Sequence, residues 1–417
     1  MTELFKTVRL ASYTLSRLTE TDRTSLLLAL ADATEAHIPQ LLAANADDLS
    51  RMSPDNPLYD RLQLTDQRLR DIATALRNVA HLPNPLGEVF DAKTLPNGLR
   101  LRKQRVAYGV VGVVYEARPN VSFDVFALCF KTGNACILKG GKDADSSNRA
   151  IVALIKDTLR SHGIDENVVC LLPATHEATQ QMLTAVGYID LCIPRGGRRL
   201  IDFVRQTARI PVIETGAGVV HAYFDKDGDT AKGSRIVENA KTRRVSVCNA
   251  LDCLIVHRER IGALPRLLAP LAKKNVHLYA DTPSYRVLAA NGYAAELTEV
   301  TPDMEHDIYG TEFMSYRMAV RTVNSIDEAL LHIRRCGSGH SEAIITESEP
   351  SARLFQQQVD AACVYWNAPT SFTDGGEFGL GAEIGISTQK LGPRGPMGLQ
   401  ALTTYKWLID GDGQVRK

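Results

Sequence analysis

Paired cysteines are absent from this sequence. Its 417 residues include eight cysteines, and no two of them stand in a Cys-X-X-Cys spacing. They are scattered through apolar runs, at Cys129, Cys136, Cys170, Cys192, Cys248, Cys253, Cys336 and Cys363. We therefore expect neither a disulfide framework nor a zinc cluster of paired thiolates. We expect the protein to work in a reducing compartment.

Charge of one sign and long apolar runs are lacking as well. Lysine plus arginine and aspartate plus glutamate each number 48, so the formal net charge is zero. A general nucleic-acid binder needs a basic excess, so we expect no nucleic-acid partner. The early apolar run Leu26 to Ala31 is too short to span a bilayer, and Glu3, Lys6 and Arg9 interrupt any signal peptide. We expect a cytoplasmic protein without a membrane partner.

The glycine fingerprints of common nucleotide sites are missing too. The chain contains neither a G-x-G-x-x-G string nor a Walker loop, and Gly216-Ala-Gly218 continues without a third glycine. A conventional dinucleotide motif therefore gives no support for cofactor binding.

The patterns that are present indicate an α/β protein. A chain of this length usually forms two or three domains. Residues 1 to about 85 have helical periodicity, and from residue 106 apolar strands alternate with helices. This alternation is typical of parallel sheets covered by helices on both faces. The sequence predicts two α/β domains with a boundary near residue 217.

A hairpin signal lies near residue 97. Asn97-Gly98 separates two alternating segments, and residues 403–408 alternate as a further strand that could join them. Because a two-stranded ribbon is not stable alone, we expect it to pair with another part of the protein, such as a second subunit.

Cys248 is the candidate nucleophile. Three cations, Lys241, Arg243 and Arg244, occupy the seven positions before it. Positive charge favours the thiolate, which is the nucleophilic form, and attracts an anionic substrate. The alternative is a small core residue in an apolar strand. Cys253, five residues further on, is interpreted as core.

Several strings of the chain carry a specific resemblance. They are Tyr115-Glu-Ala-Arg118-Pro119-Asn120-Val121, Ile137-Leu-Lys139-Gly-Gly-Lys142, Glu214-Thr-Gly216-Ala-Gly218, Cys248-Asn-Ala, Tyr309-Gly-Thr-Glu312-Phe, Gly337-Ser-Gly-His340-Ser-Glu, Phe378-Gly-Leu-Gly-Ala-Glu-Ile-Gly-Ile-Ser-Thr388 and Arg394-Gly-Pro-Met-Gly-Leu-Gln-Ala-Leu-Thr-Thr-Tyr405. In this order, across nearly the full length, they resemble the aldehyde dehydrogenase superfamily and, within it, the γ-glutamyl phosphate reductase (glutamate-5-semialdehyde dehydrogenase) family.

The resemblance implies an architecture of two Rossmann-like α/β domains and a small β ribbon. Residues 1–89 and 106–216 would form the cofactor-binding domain. Residues 217–395 would form the catalytic domain that carries Cys248. Residues 90–105 and 396–417 would form an oligomerisation ribbon, as in a superfamily whose members are dimers or tetramers.

The resemblance also implies a reaction. It is the NADPH-dependent reduction of L-glutamate 5-phosphate to L-glutamate 5-semialdehyde, with release of phosphate through a thioester on Cys248, in proline biosynthesis. The expected partners are this small-molecule substrate and further copies of the chain. Association with glutamate 5-kinase, which makes the unstable substrate, is left open.

Two catalytic residues follow from the resemblance. Cys248 matches the superfamily thiol, and Asn120 matches the asparagine whose side-chain amide helps to hold the developing oxyanion. Without the resemblance, Asn120 is interpreted as a turn residue after Pro119.

The resemblance implies five cofactor-binding residues, four before Cys248 in the sequence and one after it. They are Lys139, Lys142, Gly196, Gly197 and Glu312. Lys139 would contact the adenosine ribose, and Glu312 would hold the nicotinamide ribose. Lys142 stands where many NAD-using relatives have a glutamate, so a cation there favours the 2′-phosphate of NADP(H); a solvated loop lysine is the alternative.

The glycines at 196 and 197 would allow close approach of the pyrophosphate, with Arg195, Arg198 or Arg199 meeting phosphate. A helix start with exposed arginines is the alternative, and the sequence does not separate the two. Arg118, Arg244 and Arg394 are candidates for binding the acyl phosphate and the carboxylate, beside Lys241 and Arg243. No metal is expected.

Three rival functions remain open from the sequence. An ordinary aldehyde dehydrogenase would use Glu214 as a base to hydrolyse the thioester, a step that a reductase does not need. An inactive scaffold would keep the fold without binding a cofactor. A thiol acyltransferase or hydrolase would need a histidine base, and His221, His257 and His340 have no recognisable motif.

Overall fold

The computed structural model of the chain describes residues 1–56, 59–116 and 118–416; the side chain of Arg198, one of the expected phosphate contacts, lies outside this description. The chain divides into two compact units. The first unit comprises Met1–Thr215, Gly379–Gly385 and Met397–Lys417, and the second comprises Gly216–Phe378 and Ile386–Pro396. Residues 379–385, grouped with the catalytic domain from the sequence, cluster with the first unit.

The helices are, in chain order, α1 Thr2–Ser12, α2 Glu20–Ala36, α3 Ile38–Ser50, α4 Tyr59–Leu62, α5 Asp66–His81, α6 Asn120–Lys131, α7 Asp145–Ser161, α8 His176–Leu183, α9 Arg198–Thr207, α10 Thr230–Thr242, α11 Leu264–Lys273, α12 Thr282–Ala290, α13 Glu305–Tyr309, α14 Ile326–Cys336 and α15 Glu349–Gln358. The strands are β1 Val89–Thr94, β2 Arg100–Ala107, β3 Val110–Tyr115, β4 Ala135–Lys139, β5 Val169–Leu171, β6 Leu191–Arg195, β7 His221–Phe224, β8 Cys253–His257, β9 His277–Ala280, β10 Leu297–Glu299, β11 Arg317–Val323, β12 Ser341–Ile345, β13 Cys363–Trp366, β14 Ile386–Ser387, β15 Gly395–Pro396 and β16 Thr403–Asp410.

The first unit is built on a parallel sheet in the order β5-β4-β3-β6. Every residue of β3 and β4 is buried, which explains why these strands read as continuous apolar runs. Helix α6 packs almost all of its residues into the same core. The N-terminal helices add their apolar stripes to it, and the Thr19 side chain caps α2 by accepting from the Asp22 N–H.

A separate antiparallel ribbon runs in the order β1-β2-β16. The β1–β2 turn closes at Gly98, whose φ of +86° lies in the region that glycine tolerates without steric cost. Strand β16 pairs along the whole of β2, from Thr403 opposite Ala107 to Asp410 opposite Arg100. The hairpin and the added C-terminal strand are therefore present as expected.

The second unit contains a parallel sheet in the order β10-β9-β11-β8-β7-β12-β13. The central strands of this sheet are buried on both faces. One apolar cluster covers one face, and a second apolar cluster covers the other. Both units are thus parallel α/β structures, and the predicted fold class is confirmed. In the part of the chain that the structure describes, no helix is both long and apolar enough to cross a bilayer.

Candidate active site

Cys248 lies in a turn. The turn follows α10, which ends at Thr242, and precedes β8, which begins at Cys253. The Cys248 side chain is partly exposed. The far end of the turn is anchored by the N–H of Leu251, which donates to the carbonyl of Ala240 at 3.0 Å. The alternative of a core cysteine within an apolar strand is therefore wrong, because Cys248 lies in a turn and is partly exposed.

The Gly216-Ala-Gly218 string lies against this turn. A Cβ atom built on Gly218 would stand 1.7 Å from the carbonyl oxygen of Cys248, so only glycine fits there. A Cβ on Gly216 would stand 2.5 Å from the Thr388 hydroxyl. The N–H of Gly218 donates to a carboxylate oxygen of Glu312 at 3.1 Å. The string that fails as a dinucleotide fingerprint thus packs on the backbone of the candidate nucleophile and is held by Glu312.

Asn249 fixes the other side of the same turn, a role that the sequence did not reveal. Its buried side-chain amide donates to the carbonyl of Thr373 at 2.9 Å and to that of Ser371 at 3.4 Å. Its own carbonyl accepts from the Thr370 hydroxyl at 2.9 Å. The only signal in the sequence is that a side chain rich in hydrogen-bonding groups directly follows the cysteine.

The three cations before Cys248 have different environments. Lys241 is fully buried, and its Nζ lies 3.8 Å from a carboxylate oxygen of Asp252. Burial lowers the pKa of Lys241 to about 8 and raises that of Asp252 to about 7, while each partner opposes the other's shift. Arg243 and Arg244 are exposed. Lys241 therefore pairs with Asp252 inside the second unit. Of the three cations, Arg243 and Arg244 are the ones accessible to solvent.

Asp252 connects several parts of the second unit. Besides facing Lys241, it accepts from the N–H of Phe313 at 3.0 Å and from that of Val220 at 3.4 Å. Phe313 directly follows Glu312, so the carboxylate that holds Gly218 is itself held in place by this aspartate. Cys248, Gly218 and Glu312 thus belong to one connected group of segments.

Asn120 is the first residue of α6 in the first unit. Its side-chain amide donates to a carboxylate oxygen of Asp124 at 3.0 Å, one turn further along the helix. Desolvation raises the pKa of Asp124 to about 6, and the bond from Asn120 opposes this shift. Pro119 caps the helix, and Arg118 precedes it, partly buried. Asn120 is therefore a helix-start residue with a partly exposed side chain.

The two lysines of the expected ribose site differ in exposure. Lys139 ends β4 and is buried; its Nζ donates to the carbonyl of Gly140 at 3.0 Å, and desolvation lowers its pKa. Lys142 is exposed in a short 3₁₀ turn. A Cβ on Gly140 would stand 2.2 Å from the side-chain amide nitrogen of Asn148. The loop after β4 thus combines a close backbone approach with one buried and one exposed cation.

The two expected pyrophosphate glycines follow β6. Gly197 caps the start of α9, and its N–H donates to a carboxylate oxygen of Glu116 at 3.0 Å. A Cβ on Gly196 would stand 2.6 Å from the Glu116 carboxylate carbon. Parallel strands β4 and β6 flank β3, so their carboxyl ends, with Lys139 and Gly196, meet at one sheet edge. Glu116, a residue not selected from the sequence, occupies the helix start at that edge.

Two expected site residues are already paired with side chains. Glu214, in the first unit, receives two hydrogen bonds from Arg205, at 2.9 and 2.6 Å. Arg394, in the second unit, donates to the Asp360 carboxylate at 2.8 Å and to its carbonyl at 3.1 Å. Both Glu214 and Arg394 therefore have a partner of opposite charge within their own unit.

The chain is similar over its whole length to proteins of one curated group. It is 56% identical over 417 residues to γ-glutamyl phosphate reductase from Bacteroides fragilis, covering 100% of both chains. It is 55% identical over 409 residues to γ-glutamyl phosphate reductase from Pelodictyon phaeoclathratiforme, covering 98% of this chain and 97% of the relative. The chain belongs to the γ-glutamyl phosphate reductase family. It is accordingly an oxidoreductase, and the family predicted from its motifs is confirmed.

Solved structures agree with this membership. The crystal structure of γ-glutamyl phosphate reductase from Thermotoga maritima superposes with a TM-score of 0.94 at 37% identity, covering 100% of this chain and 99% of that one. A propionaldehyde dehydrogenase from Clostridium phytofermentans superposes with a TM-score of 0.69 at 16% identity, covering 97% and 96%. This second likeness shows the shared aldehyde dehydrogenase fold. No protein-family model matches the chain.

Proposed function

We propose that the chain reduces L-glutamate 5-phosphate to L-glutamate 5-semialdehyde with NADPH, in proline biosynthesis. The observation that carries this proposal is 56% identity over 100% of the chain and of a γ-glutamyl phosphate reductase. The thiol of Cys248 is partly exposed and lies in a turn next to exposed arginines. Such a thiol is a suitable nucleophile for an acyl phosphate.

The chemical role that we propose for Cys248 is covalent. Its thiolate attacks the acyl carbon, a carbon–sulfur bond forms, the bond from that carbon to the phosphate oxygen breaks, and inorganic phosphate leaves. Bound NADPH would supply the hydride that reduces the thioester. Cleavage of the carbon–sulfur bond then restores the thiolate and releases the aldehyde. Because phosphate is a good leaving group, this sequence demands no strong general acid.

Asn120 and the Cys248 backbone N–H are the donors that we propose for the oxyanion. Each such donor is typically worth about 3–4 kcal/mol of transition-state stabilisation. Asn120 has one amide hydrogen on Asp124 and a second one to offer. Arg118, the exposed Arg244 and Arg394, which also faces Asp360, are the residues that we propose for the substrate anions.

The residues of the first unit fit a phosphorylated dinucleotide. The loop after β4 carries the cations Lys139 and Lys142 on either side of two glycines, and the first of these glycines lets the Asn148 side chain pack against the backbone. The neighbouring edge position offers Gly196 and the start of α9. We propose that Lys139, Lys142, Gly196 and Gly197 hold NADP(H). The proposed role of Glu312 is to hold the nicotinamide ribose.

The test is NADP reduction with glutamate 5-semialdehyde, with and without inorganic phosphate. We expect turnover only with phosphate, because the reverse reaction must re-form the acyl phosphate. Replacing Cys248 with Ala should abolish turnover and leave NADPH binding intact, whereas the matched variant Cys336→Ala, also at a partly exposed cysteine, should keep both. Phosphate-independent turnover, or turnover by Cys248→Ala, would contradict the proposal.

Ordinary aldehyde oxidation by hydrolysis is the competing function. It would need Glu214 as a base that takes a proton from water. Both carboxylate oxygens of Glu214 already accept hydrogen bonds from Arg205, so the carboxylate would have to give up one of these bonds to accept a proton from water. The phosphate requirement in the same assay separates the two functions.

A further inference from the structure

A buried group of metal-ligating side chains lies in the second unit, apart from the thiol of Cys248. His221 begins β7, Cys253 begins β8, and His332 projects from α14. One ligand atom of each lies within 4.8 Å of the other two. Because His221 and Cys253 are register partners on neighbouring parallel strands, their side chains leave the sheet on the same face, where α14 packs.

The nitrogen atoms of His221 are unequally used. Its Nδ1 lies 3.0 Å from a carboxylate oxygen of Glu342, and its backbone N–H donates to the same oxygen at 2.8 Å. This arrangement places the imidazole proton on Nδ1 and leaves a lone pair on Nε2. Among the described residues, Nε2 of His221 is buried without a hydrogen-bond partner. A buried polar atom in this condition destabilises the fold unless something binds it.

The carboxylate behind His221 is the arrangement found at metal centres. Histidine ligands usually donate their second ring nitrogen to a carboxylate, which orients the ring and strengthens the metal bond. Glu342 is fully buried and stands next to His221 in the sheet register. The second unit therefore supplies both the ligand and the group that orients it.

We propose that His221, Cys253 and His332 bind one divalent ion of the zinc class. His221 coordinates through Nε2, Cys253 through its sulfur, and His332 through Nε2. Imidazole and thiolate together are the donors that zinc prefers. The proposal concerns a site distinct from the reaction centred on Cys248.

The geometry is close to what such an ion requires. Tetrahedral zinc with bonds of about 2.3 Å to sulfur and 2.0–2.1 Å to nitrogen separates the two ligand atoms by about 3.6 Å. The sulfur of Cys253 lies 3.8 Å from Nε2 of His332. Binding replaces the thiol proton, so one proton is released to solvent per ion. The thiolate and the Glu342 carboxylate then balance the two positive charges of the ion.

A cavity adjoins the site at His332. It has a volume of about 460 Å³ and is lined by His332 together with Tyr309, Arg321 and Cys336. Three protein ligands leave a fourth position for water or another small donor. The ion would tie α14 to the starts of β7 and β8, directly after the segments that carry Gly218 and Cys248. We therefore expect the ion to stabilise the unit that holds the nucleophile.

The competing explanation is a metal-free core in which the Cys253 thiol donates to His332. Cobalt distinguishes the two, because Co²⁺ occupies zinc sites and develops a thiolate charge-transfer absorption in the near ultraviolet. The full-length chain carrying Cys248→Ala and Cys336→Ala, which lacks the two partly exposed cysteines, is stripped with a chelator. It is then titrated with Co²⁺ and afterwards with Zn²⁺. We expect one equivalent of Co²⁺ with this absorption, displacement by Zn²⁺, one proton released, and a melting temperature raised by a few degrees.

Matched variants in the same background complete the test. Cys253→Ser and His332→Gln should lose the absorption and reduce metal affinity by at least 100-fold. His340→Gln, at another buried histidine with an unpartnered Nε2, should bind like its parent. Circular dichroism of the metal-free variants checks their folding, and Cys253→Ala is the substitute if the serine variant does not fold. Absence of the absorption in the parent, or its survival in both Cys253 and His332 variants, would overturn the proposal.

Discussion

Around Cys248, single residues determine where the thiol can be. Gly218 packs directly against the backbone of the turn on one side. On the other side, the side-chain amide of Asn249 donates hydrogen bonds to two backbone carbonyls. Neither of these residues needs to touch a substrate. They fix the backbone N–H of Cys248, which is the donor that the proposed oxyanion would use, and a small shift of this N–H would weaken catalysis.

Gly218→Ala should therefore impair the enzyme without changing any reacting group. Its methyl group would stand 1.7 Å from the Cys248 carbonyl oxygen, so the backbone must move. We expect at least a tenfold loss of kcat and a stability loss of about 2 kcal/mol, in the range of overpacked sites. Turnover and urea unfolding measure these effects. Gly262→Ala is the control, since nothing lies within 4 Å of its Cβ; equal activity of the two variants would contradict the argument.

Lys142 tests the proposed preference for NADP(H). The side chain is exposed, so its replacement should leave the fold unchanged. Lys142→Glu should weaken NADPH binding more than NADH binding, because only NADPH carries the 2′-phosphate that the cation would meet. Fluorescence titration with both nucleotides measures the ratio. Arg160→Glu, at an exposed position near the far end of α7, serves as the control, and equal losses for both nucleotides at Lys142 would end the argument.

At the scale of helices and strands, the buried Lys241–Asp252 pair connects α10 with the segment before β8. Burial raises the carboxyl pKa to about 7 from 3.8 and lowers the lysine pKa to about 8 from 10.5. The folded chain thus binds more protons than the unfolded chain between pH 4 and 7, and fewer between pH 8 and 10.5. The pair's contribution to stability falls over the first interval and rises over the second.

The double variant Lys241→Met with Asp252→Asn should remove both pH dependences. Relative to it, the parent should be least stable between pH 7 and 8. The single variant Asp252→Asn leaves a buried, unpaired cation and should cost about 3–5 kcal/mol at pH 7, more than the double variant. Urea unfolding at pH 5, 7.5 and 10 measures these differences. Additive losses, or parallel pH profiles of the parent and the double variant, would show that the pair is not coupled.

The helices and strands could be predicted from this sequence more readily than the burial and the neighbours of individual side chains. The apolar runs of β3 and β4 and the Asn97-Gly98 turn follow from local periodicity and turn chemistry, and the order of motifs identified the family. The burial of Lys241 could not be predicted, because a lysine next to two exposed arginines looks the same in sequence. The proximity of His221, Cys253 and His332 arises only when β7, β8 and α14 pack together, so no spacing announces it.

On the scale of the whole molecule, the ribbon leaves an apolar face uncovered. Tyr405, Trp407 and Ile409 alternate along β16, are 49%, 42% and 59% exposed, and share one face of this edge strand. Exposed apolar edges of this kind are usually covered by a partner. We propose that a second copy of the chain covers this face, which corresponds to the homo-oligomer expected from the family resemblance.

Ile409→Asp should then produce monomers, because a charge would be buried in the subunit contact. Lys406→Asp, on the opposite face of the same strand and also exposed, should keep the parent's mass. Light scattering coupled to size exclusion measures both. A monomeric parent, or an unchanged mass for Ile409→Asp, would contradict the proposal.

The pairing of β16 with β2 also has a consequence for biosynthesis. Arg102 and Asp410, which form an ion pair across this ladder, are 308 positions apart in the sequence. While a ribosome makes the intervening residues, the outer edge of β2 has nothing to hydrogen-bond with, although the parallel sheet of its own unit can already assemble. An incomplete nascent chain therefore exposes an unpaired strand edge for most of its synthesis. Premature termination anywhere before Thr403 should yield products that aggregate.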